Sequence, residues 1–297
     1  MTKYYTRACN FYYGINAKQL IKKKIALPLC GNQNIAFDKV EVIEREKNKV
    51  LSKIISLKKI GILNTSCRKK VKQDLKKIIS KRKNFLKNVN FLEPTIMGIL
   101  NLTPDSFSDG GRFNSHRKAK KHISQMIKAG AKIIDVGGES TRPGSKNISQ
   151  KIEWSRIKNI VKDFKKNYKT TCLSVDTRKS EIMINSIKNG ADLINDVSGF
   201  NHDDLALTKL RGFNISKVLH HMQGTPNKMQ INPNYKNVLL DIYDYFEKGI
   251  KKINNKNILI DPGIGFGKNL KHNLSLISNV SLFHSLGFPI LIGTSRK

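Results

Sequence analysis

Cysteine is sparse in this chain, acidic side chains are scarce and long apolar runs are missing. The four cysteines, Cys9, Cys30, Cys67 and Cys172, lie far apart, with no CxxC and no paired histidine spacing. That pattern argues against a zinc site and a disulfide framework, and it fits a reducing cytosol. No run approaches the ~18–20 consecutive apolar residues of a membrane span. The N-terminus, MTKYYTRACNFYYG, has no apolar core of a secretory signal, and its tyrosines argue against a basic transit peptide. A cytoplasmic location is expected, and a membrane is not an expected partner.

Asp and Glu together number 22 against 55 Lys and Arg, a formal net charge of +33. Such an excess can mean a nucleic-acid partner or compositional drift towards Lys, Asn and Ile. The basic residues are spread widely and no recognised nucleic-acid motif accompanies them, which favours drift. The excess is uneven all the same: residues 1–93 hold 23 Lys and Arg against 6 Asp and Glu, about half the net charge of the chain. Arg68–Lys87 (RKKVKQDLKKIISKRKNFLK) reads as a solvated basic helix or a flexible linker, without the aromatic face that membrane-surface binding would need.

The length of 297 residues and the 39% hydrophobic content suit one large domain with an appendage. Short apolar pieces in residues 1–50 predict two or three strands of a small N-terminal extension, and the Lys-rich residues 51–93 predict a connector. From Thr95 onwards the pattern changes. Strand-like runs are expected at Ile96–Leu102, Lys132–Val136, Thr171–Val175, Asp192–Val197, Lys217–His221, Ile258–Asp261 and Pro289–Gly293. Between them, helical patterns span Ser115–Ala129, Ser149–Lys166, Lys179–Asn189, Asp203–Arg211, Tyr235–Ile253 and His272–Leu286, with Gly130 and Gly190 as stop signals.

Each strand-like run ends in Asn, Asp, His or Gly and breaks into a polar turn: ILNLTPDSFSDGG, IIDVGGESTRPG, SVDTRKS, LINDVSG, KVLHHMQGTP, ILIDPGIGFGK and PILIGTSRK. Apolar strands alternating with helices demand a parallel sheet covered on its outer face. Polar groups just past the strand ends place the chemistry at one mouth of a (β/α) barrel.

These seven ordered motifs, over about Thr95–Lys297, resemble the consecutive loop motifs of the dihydropteroate synthase family. The N-terminal LPLCGNQNIAFDKVEVIERE resembles, more weakly, an extension of some proteobacterial members. The resemblance implies an α/β fold, a TIM (β/α)8 barrel over 94–297, with a small basic extension and connector over 1–93. Members of the family continue through a helix, an eighth strand carrying an Arg and a His for diphosphate, and a last helix. The expectation here is a barrel lacking that last helix–strand–helix.

The implied activity, a transferase step of folate biosynthesis, joins 4-aminobenzoate to 6-hydroxymethyl-7,8-dihydropterin diphosphate, giving 7,8-dihydropteroate and diphosphate. It also implies Mg2+, a homodimer and sensitivity to sulfonamides; nucleic acid is not an expected partner. A pterin is flat and edged with donors and acceptors, so carboxylates at a barrel mouth can accept adjacent N–H groups while an amide or ammonium meets the acceptors. By resemblance Asp176, Asn195, Asp261 and Lys297 bind the pterin, and Asp176, Asp261 and Lys297 carry the chemistry. Taken singly, Asp176 and Asp261 also suit helix N-caps; jointly, within ordered motifs, a site is favoured.

Asn101 matches the family position that contacts Mg2+, a neutral hard oxygen, although it also suits a turn before Thr103-Pro104. Phe107, Thr141, Arg142, Pro143 and Phe266 are expected around the aminobenzoate, and Ser295 at a helix start suited to an anion. His220 and His221 are expected as rim or packing residues. Two rivals remain: a pterin-binding methyltransferase-type barrel, and an inactive fragment with a nucleic-acid-binding basic extension.

Overall fold

The computed structural model of the protein describes residues 2–47, 49–103, 112–140, 145 and 147–294. The chain divides into two compact units, one of residues 1–83, 235–247 and 272–290, the other of 84–234, 248–271 and 291–297.

In the first unit, β1 (Lys3–Tyr13) pairs antiparallel with β3 (Asn32–Glu46), whose other edge carries β2 (Leu27–Leu29) and β4 (Lys49–Ser56). The helix α1 (Gly14–Lys22) follows β1 directly. A second helix, α2 (Thr65–Ile79), starts where the Asn64 Oδ1 accepts the Cys67 N–H at 2.9 Å, a side-chain N-cap. Its residues Cys67, Val71, Leu75 and Ile78 recur at helical spacing and pack with Ala8, Phe37, Val40 and Val42 of the sheet. The opposite face holds the exposed Lys69, Lys72 and Lys76. The basic stretch is thus a solvated helix face, but only as far as Ile79.

The second unit explains where that stretch goes. Phe85, Leu86, Val89 and Phe91 form one apolar cluster with Met97, Ile133, Cys172, Leu193, Val218, Leu259 and Leu291. Those strand residues come from β5 (Ile96–Asn101), β6 (Ala131–Gly137), β7 (Cys172–Asp176), β8 (Leu193–Asp196), β9 (Ser216–His220) and β10 (Ile258–Asp261). All five neighbouring pairs are parallel, and the order β5-β6-β7-β8-β9-β10 is sequential. A sequential order is a singly wound, barrel-type sheet, since a doubly wound one reverses its order part-way.

Both faces of the sheet are apolar, as parallel strands require. The cluster just described lines the inner face. Leu100, Ile134, Val136, Leu173, Val175 and Ile194 point outward and pack with α3 (Arg112–Lys128), α4 (Gln150–Asn167) and α5 (Ser180–Lys188) through Ile123, Ile157, Phe164 and Met183.

Most predicted elements recur with shifts of one to three residues. The helix expected over 203–211 shrinks to α6 (Ala206–Leu210), because the Asp203 carboxylate accepts the Ser180 N–H at 2.8 Å and the Leu205 N–H at 3.0 Å, holding a turn. The pattern over 235–253 becomes α7 (Val238–Ile253), and that over 272–286 splits into α8 (Leu270–Ser278) and a 3-10 turn, Val280–Leu286. Of the seventh strand-like run, Leu291 donates its N–H to the Ile260 carbonyl at 2.9 Å, alongside β10.

Candidate active site at the carboxyl ends of the strands

Strand alternation carries the inner face upward by steps of two. Above Ile133, Cys172, Leu193, Val218 and Leu259 stand Asp135, Ser174, Asn195, His220 and Asp261, so the apolar floor gives way to a polar layer within one step. One step further are Asn101, Gly137 and Asp176, and the pairing register runs Asn101–Gly137–Asp176–Asn195 across four strands.

Gly137 keeps the middle of that row open. A Cβ there would stand 3.3 Å from the Asn101 Oδ1 and 3.5 Å from both the Asp176 Cβ and Oδ2. The two side chains therefore converge over a residue that has none.

Beneath them, Asp135 is buried and divides its carboxylate between two donors. Its Oδ1 accepts the Ser174 hydroxyl at 2.5 Å, and its Oδ2 accepts the Asn195 Nδ2 at 3.0 Å. The Asn195 Oδ1 is shut off from solvent and no described residue donates to it. A buried carbonyl oxygen left so costs roughly 1–3 kcal/mol, and a ligand N–H would recover that. No described residue donates a hydrogen bond to the Asp176 carboxylate either. Burial pushes the Asp176 acid well above the usual carboxylate range, with the charges of Asp135, Glu153, Asp196 and Glu139 adding to the shift. Ligand N–H groups, especially with developing positive charge, would complement this patch.

A cluster of ion pairs braces the loops on either side. The Glu139 carboxylate accepts Arg178 Nη2 at 2.8 Å and Lys179 Nζ at 3.0 Å, while Lys179 also donates to Glu153 at 2.5 Å. Burial raises the Glu139 acid, but the bonds from Arg178 and Lys179 outweigh it and hold the acid below its ordinary value. Thr177 Oγ1 donates to Glu153 at 2.5 Å, and Gly138 lets α4 approach, since a Cβ there would lie 2.9 Å from the Glu153 carbonyl oxygen. Asp196, next to Asn195, accepts the Ser198 and Phe200 backbone N–H groups at 2.7 and 3.1 Å and closes the turn after β8. Burial pushes it up to about 6.

On β9 and β10 the Asp261 Oδ1 accepts the Gly263 N–H at 2.7 Å, and the His220 Nδ1 lies 2.9 Å from the Val197 carbonyl. Phe266 sets its ring edge-on to His220, with centroids 4.7 Å apart. Glycine is required between them: Gly263 has φ +66°, and a Cβ would lie 2.0 Å from the His221 carbonyl oxygen. Both histidines are buried. Burial, then the charge of Lys268, depresses His221 well below its ordinary value, so it is neutral and its Nδ1 accepts the Lys268 ammonium at 3.0 Å.

Of the expected site residues, Asn101, Asp176 and Asn195 come together in one row. Asp261 ends β10, further along the same sheet, and Phe266 follows in the loop after it, against His220 at the end of β9. Phe107, Thr141, Arg142, Pro143, Ser295 and Lys297 lie outside the described residues. Asp135, Ser174 and Gly137 were not anticipated; the first two read in sequence as strand interior, and only an inward-facing polar pair in an apolar strand would have marked them. Among the described residues no group of three or more His, Cys, Asp or Glu side chains is arranged to hold a metal ion. Asn101, an exposed residue at the end of β5, is the expected metal contact among the described residues.

A singly wound parallel sheet with polar side chains gathered at its carboxyl end defines a barrel-type enzyme site, and the family described as pterin binding enzyme matches residues 97–297. The dihydropteroate synthase of Escherichia coli (strain K12) is 43% identical over 215 residues, covering 71% of this chain and 76% of its own. Among solved structures, Yersinia pestis dihydropteroate synthase in complex with a sulfonamide drug superposes with a TM-score of 0.66 at 41% identity, over 70% of this chain and 77% of the other. The Xanthomonas albilineans enzyme in complex with 7,8-dihydropteroate gives 0.62 at 32% identity, over 70% and 75%. The chain belongs to the dihydropteroate synthase family.

Proposed function

We propose that this chain condenses 6-hydroxymethyl-7,8-dihydropterin diphosphate with 4-aminobenzoate, releasing diphosphate and 7,8-dihydropteroate. The observation that carries this reading is the pair of waiting acceptors, the sealed Asn195 Oδ1 and the Asp176 carboxylate, adjacent in register at the barrel mouth. The relatives' complexes with a sulfonamide and with 7,8-dihydropteroate agree with it.

In this mechanism Asp176, Asn195 and Asp261 accept N–H groups on the edge of the pterin and fix its plane. The C–O bond between the pterin methylene and the diphosphate breaks, and the aminobenzoate nitrogen forms the new C–N bond, its surplus proton leaving with diphosphate. Positive charge developing on the pterin is held by Asp176, preorganised by its burial. Asn101 would hold a divalent cation such as Mg2+ through its amide oxygen, a neutral hard donor suited to such an ion. When bound, that ion neutralises charge on the leaving group.

By family likeness Lys297, Ser295 and the loop residues Phe107, Thr141, Arg142 and Pro143 complete the substrate contacts with Phe266. Residues 1–83 are read as a basic appended extension, while residues 84–93, with Phe85, Leu86, Val89 and Phe91 packed on the inner face of the sheet, go with the barrel. The assembly is read as a homodimer in the cytosol. The described cysteines, all four unpaired, are in keeping with a reducing compartment. Among the described residues no helix is long and apolar enough to cross a membrane.

The test is mass-spectrometric detection of 7,8-dihydropteroate from both substrates and Mg2+, with 4-aminobenzoate omitted as a control. Product that depends on 4-aminobenzoate is expected, reduced at least a hundredfold in Asp176→Ala. No product from folded wild-type protein would overturn the reading.

A further inference from the structure

Asp135 has no place in the substrate contacts proposed above, yet it is the residue that fixes which end of the Asn195 amide faces a ligand. An amide presents a donor at one end and an acceptor at the other, and its neighbours decide the orientation. Here the neighbour is a carboxylate, an acceptor only, so Asn195 must turn its Nδ2 towards the Asp135 Oδ2, 3.0 Å away. Its Oδ1 is thereby left sealed and unpartnered. Ser174 completes the device: its buried hydroxyl donates to the Asp135 Oδ1 at 2.5 Å, so the second carboxylate oxygen is occupied and the side chain is held in place.

We infer that Asp135 is a positioning and specificity-determining residue, which through Asn195 makes the pocket demand a hydrogen-bond donor, such as the exocyclic 2-amino group of a pterin, and reject a heterocycle carrying an oxygen there. This inference rests on the pterin reading of the site and goes beyond it, because it states what selects the amino-bearing ring. A site that aims a buried acceptor at a ligand rejects an analogue presenting a second acceptor, since both are then left unpaired.

The inference makes a signed prediction. In Asp135→Asn the buried Ser174 hydroxyl still needs an acceptor and keeps the residue-135 carbonyl oxygen on its side. The new amide N–H groups then face Asn195, which relieves the clash of donors by rotating half a turn. Its oxygen accepts from residue 135, and its NH2 faces the ligand. The exchange Asp135→Asn with Asn195→Asp restores the original polarity, because a carboxylate at 195 accepts from the new amide and still presents an oxygen to the pocket.

The experiment is calorimetric titration of the full-length chain with 6-hydroxymethylpterin and with 6-hydroxymethyllumazine, its 2-oxo counterpart, alongside near-UV circular dichroism to show native packing. Wild type is expected to favour the pterin by at least ~10-fold, the order set by one unpaired buried group. D135N should lower that ratio by at least ~10-fold, and the D135N/N195D exchange should bring it back to within about threefold of wild type. A merely structural role would weaken both ligands together and leave the ratio alone.

An unchanged ratio in folded D135N overturns the inference, as does an exchange variant that favours the lumazine. If D135N does not fold, the exchange variant decides the matter by itself. Binding of neither heterocycle by wild type would instead overturn the pterin reading, and the inference with it.

Discussion

The Asn101 side-chain oxygen and the Asp176 carboxylate meet over Gly137, where a Cβ would stand 3.3 Å from the former and 3.5 Å from the latter. A methyl there would be in ordinary contact with Asp176 and would make the Asn101 amide give by a few tenths of an ångström. Gly137→Ala is therefore expected to lower kcat/KM at least tenfold while costing about 1 kcal/mol of stability or less, since the crowded atoms are at the open end of the barrel. Steady-state kinetics with a parallel thermal melt checks this. A loss of stability with unchanged kinetics would argue against convergence over Gly137.

Asp176 makes the site sensitive to acid. Burial and neighbouring carboxylates hold its folded-state acid above the ordinary value, so it takes up a proton as pH falls while exposed carboxylates are still ionised. A protonated Asp176 offers fewer acceptor positions to ligand N–H groups. Affinity for 6-hydroxymethylpterin should weaken as pH drops through that raised value, and Asp176→Asn should be weak and flat over the same range. Titration calorimetry from pH 8 down to 5 reads the difference.

Lys179 holds two buried carboxylates at once, Glu139 and Glu153. Its removal in Lys179→Met leaves buried charge without a counterion, and a loss of about 3–5 kcal/mol is expected. Glu139 has its folded acid below the unfolded value. Its stabilising contribution is therefore present above the unfolded value and is lost as pH falls through the folded one. The variant should lose less stability on acidification than wild type, as read by urea melts at pH 7 and pH 4.

Lys217 is a buried lysine on β9 whose ammonium reaches the Ile215 carbonyl at 3.1 Å, and burial lowers its pKa from 10.5 to about 8. A depressed lysine binds fewer protons folded than unfolded between those values. It destabilises the fold below about pH 8, and that penalty fades as pH rises towards 10.5. Lys217→Met should stabilise the protein at pH 7 by at most about 3 kcal/mol, with the gain shrinking at high pH. Equal gain at pH 7 and pH 10.5 would contradict the assignment.

The sheet was legible because each inner strand is an apolar run cut off by a polar turn: β10 was predicted over its full span, Ile258–Asp261, and β8 extends one residue less at each end than expected. Elements near the N-terminus were harder to read. The helix α1 carries Ile15, Ala17, Leu20 and Ile21 but buries only Ala17, so its periodicity is faint, and β4 is exposed along most of its length.

In the candidate site, positions at strand ends could be read from sequence, whereas relations across strands could not. That Asp135 reaches Asn195, 60 residues later, depends on a register set by three parallel strands. That Phe266 lies against His220 depends on glycines whose positive φ has no signature in a single chain.

The claim on which the rest depends is that the inner polar row is a pterin pocket. Equilibrium binding of 6-hydroxymethylpterin to wild type and to Asp176→Ala, both shown to be folded, tests it most directly. The account predicts a saturable single-site isotherm for wild type and at least tenfold weaker binding in the variant, with melting temperatures within a few degrees. Equal affinity in the two proteins, or no binding to wild type, would contradict it.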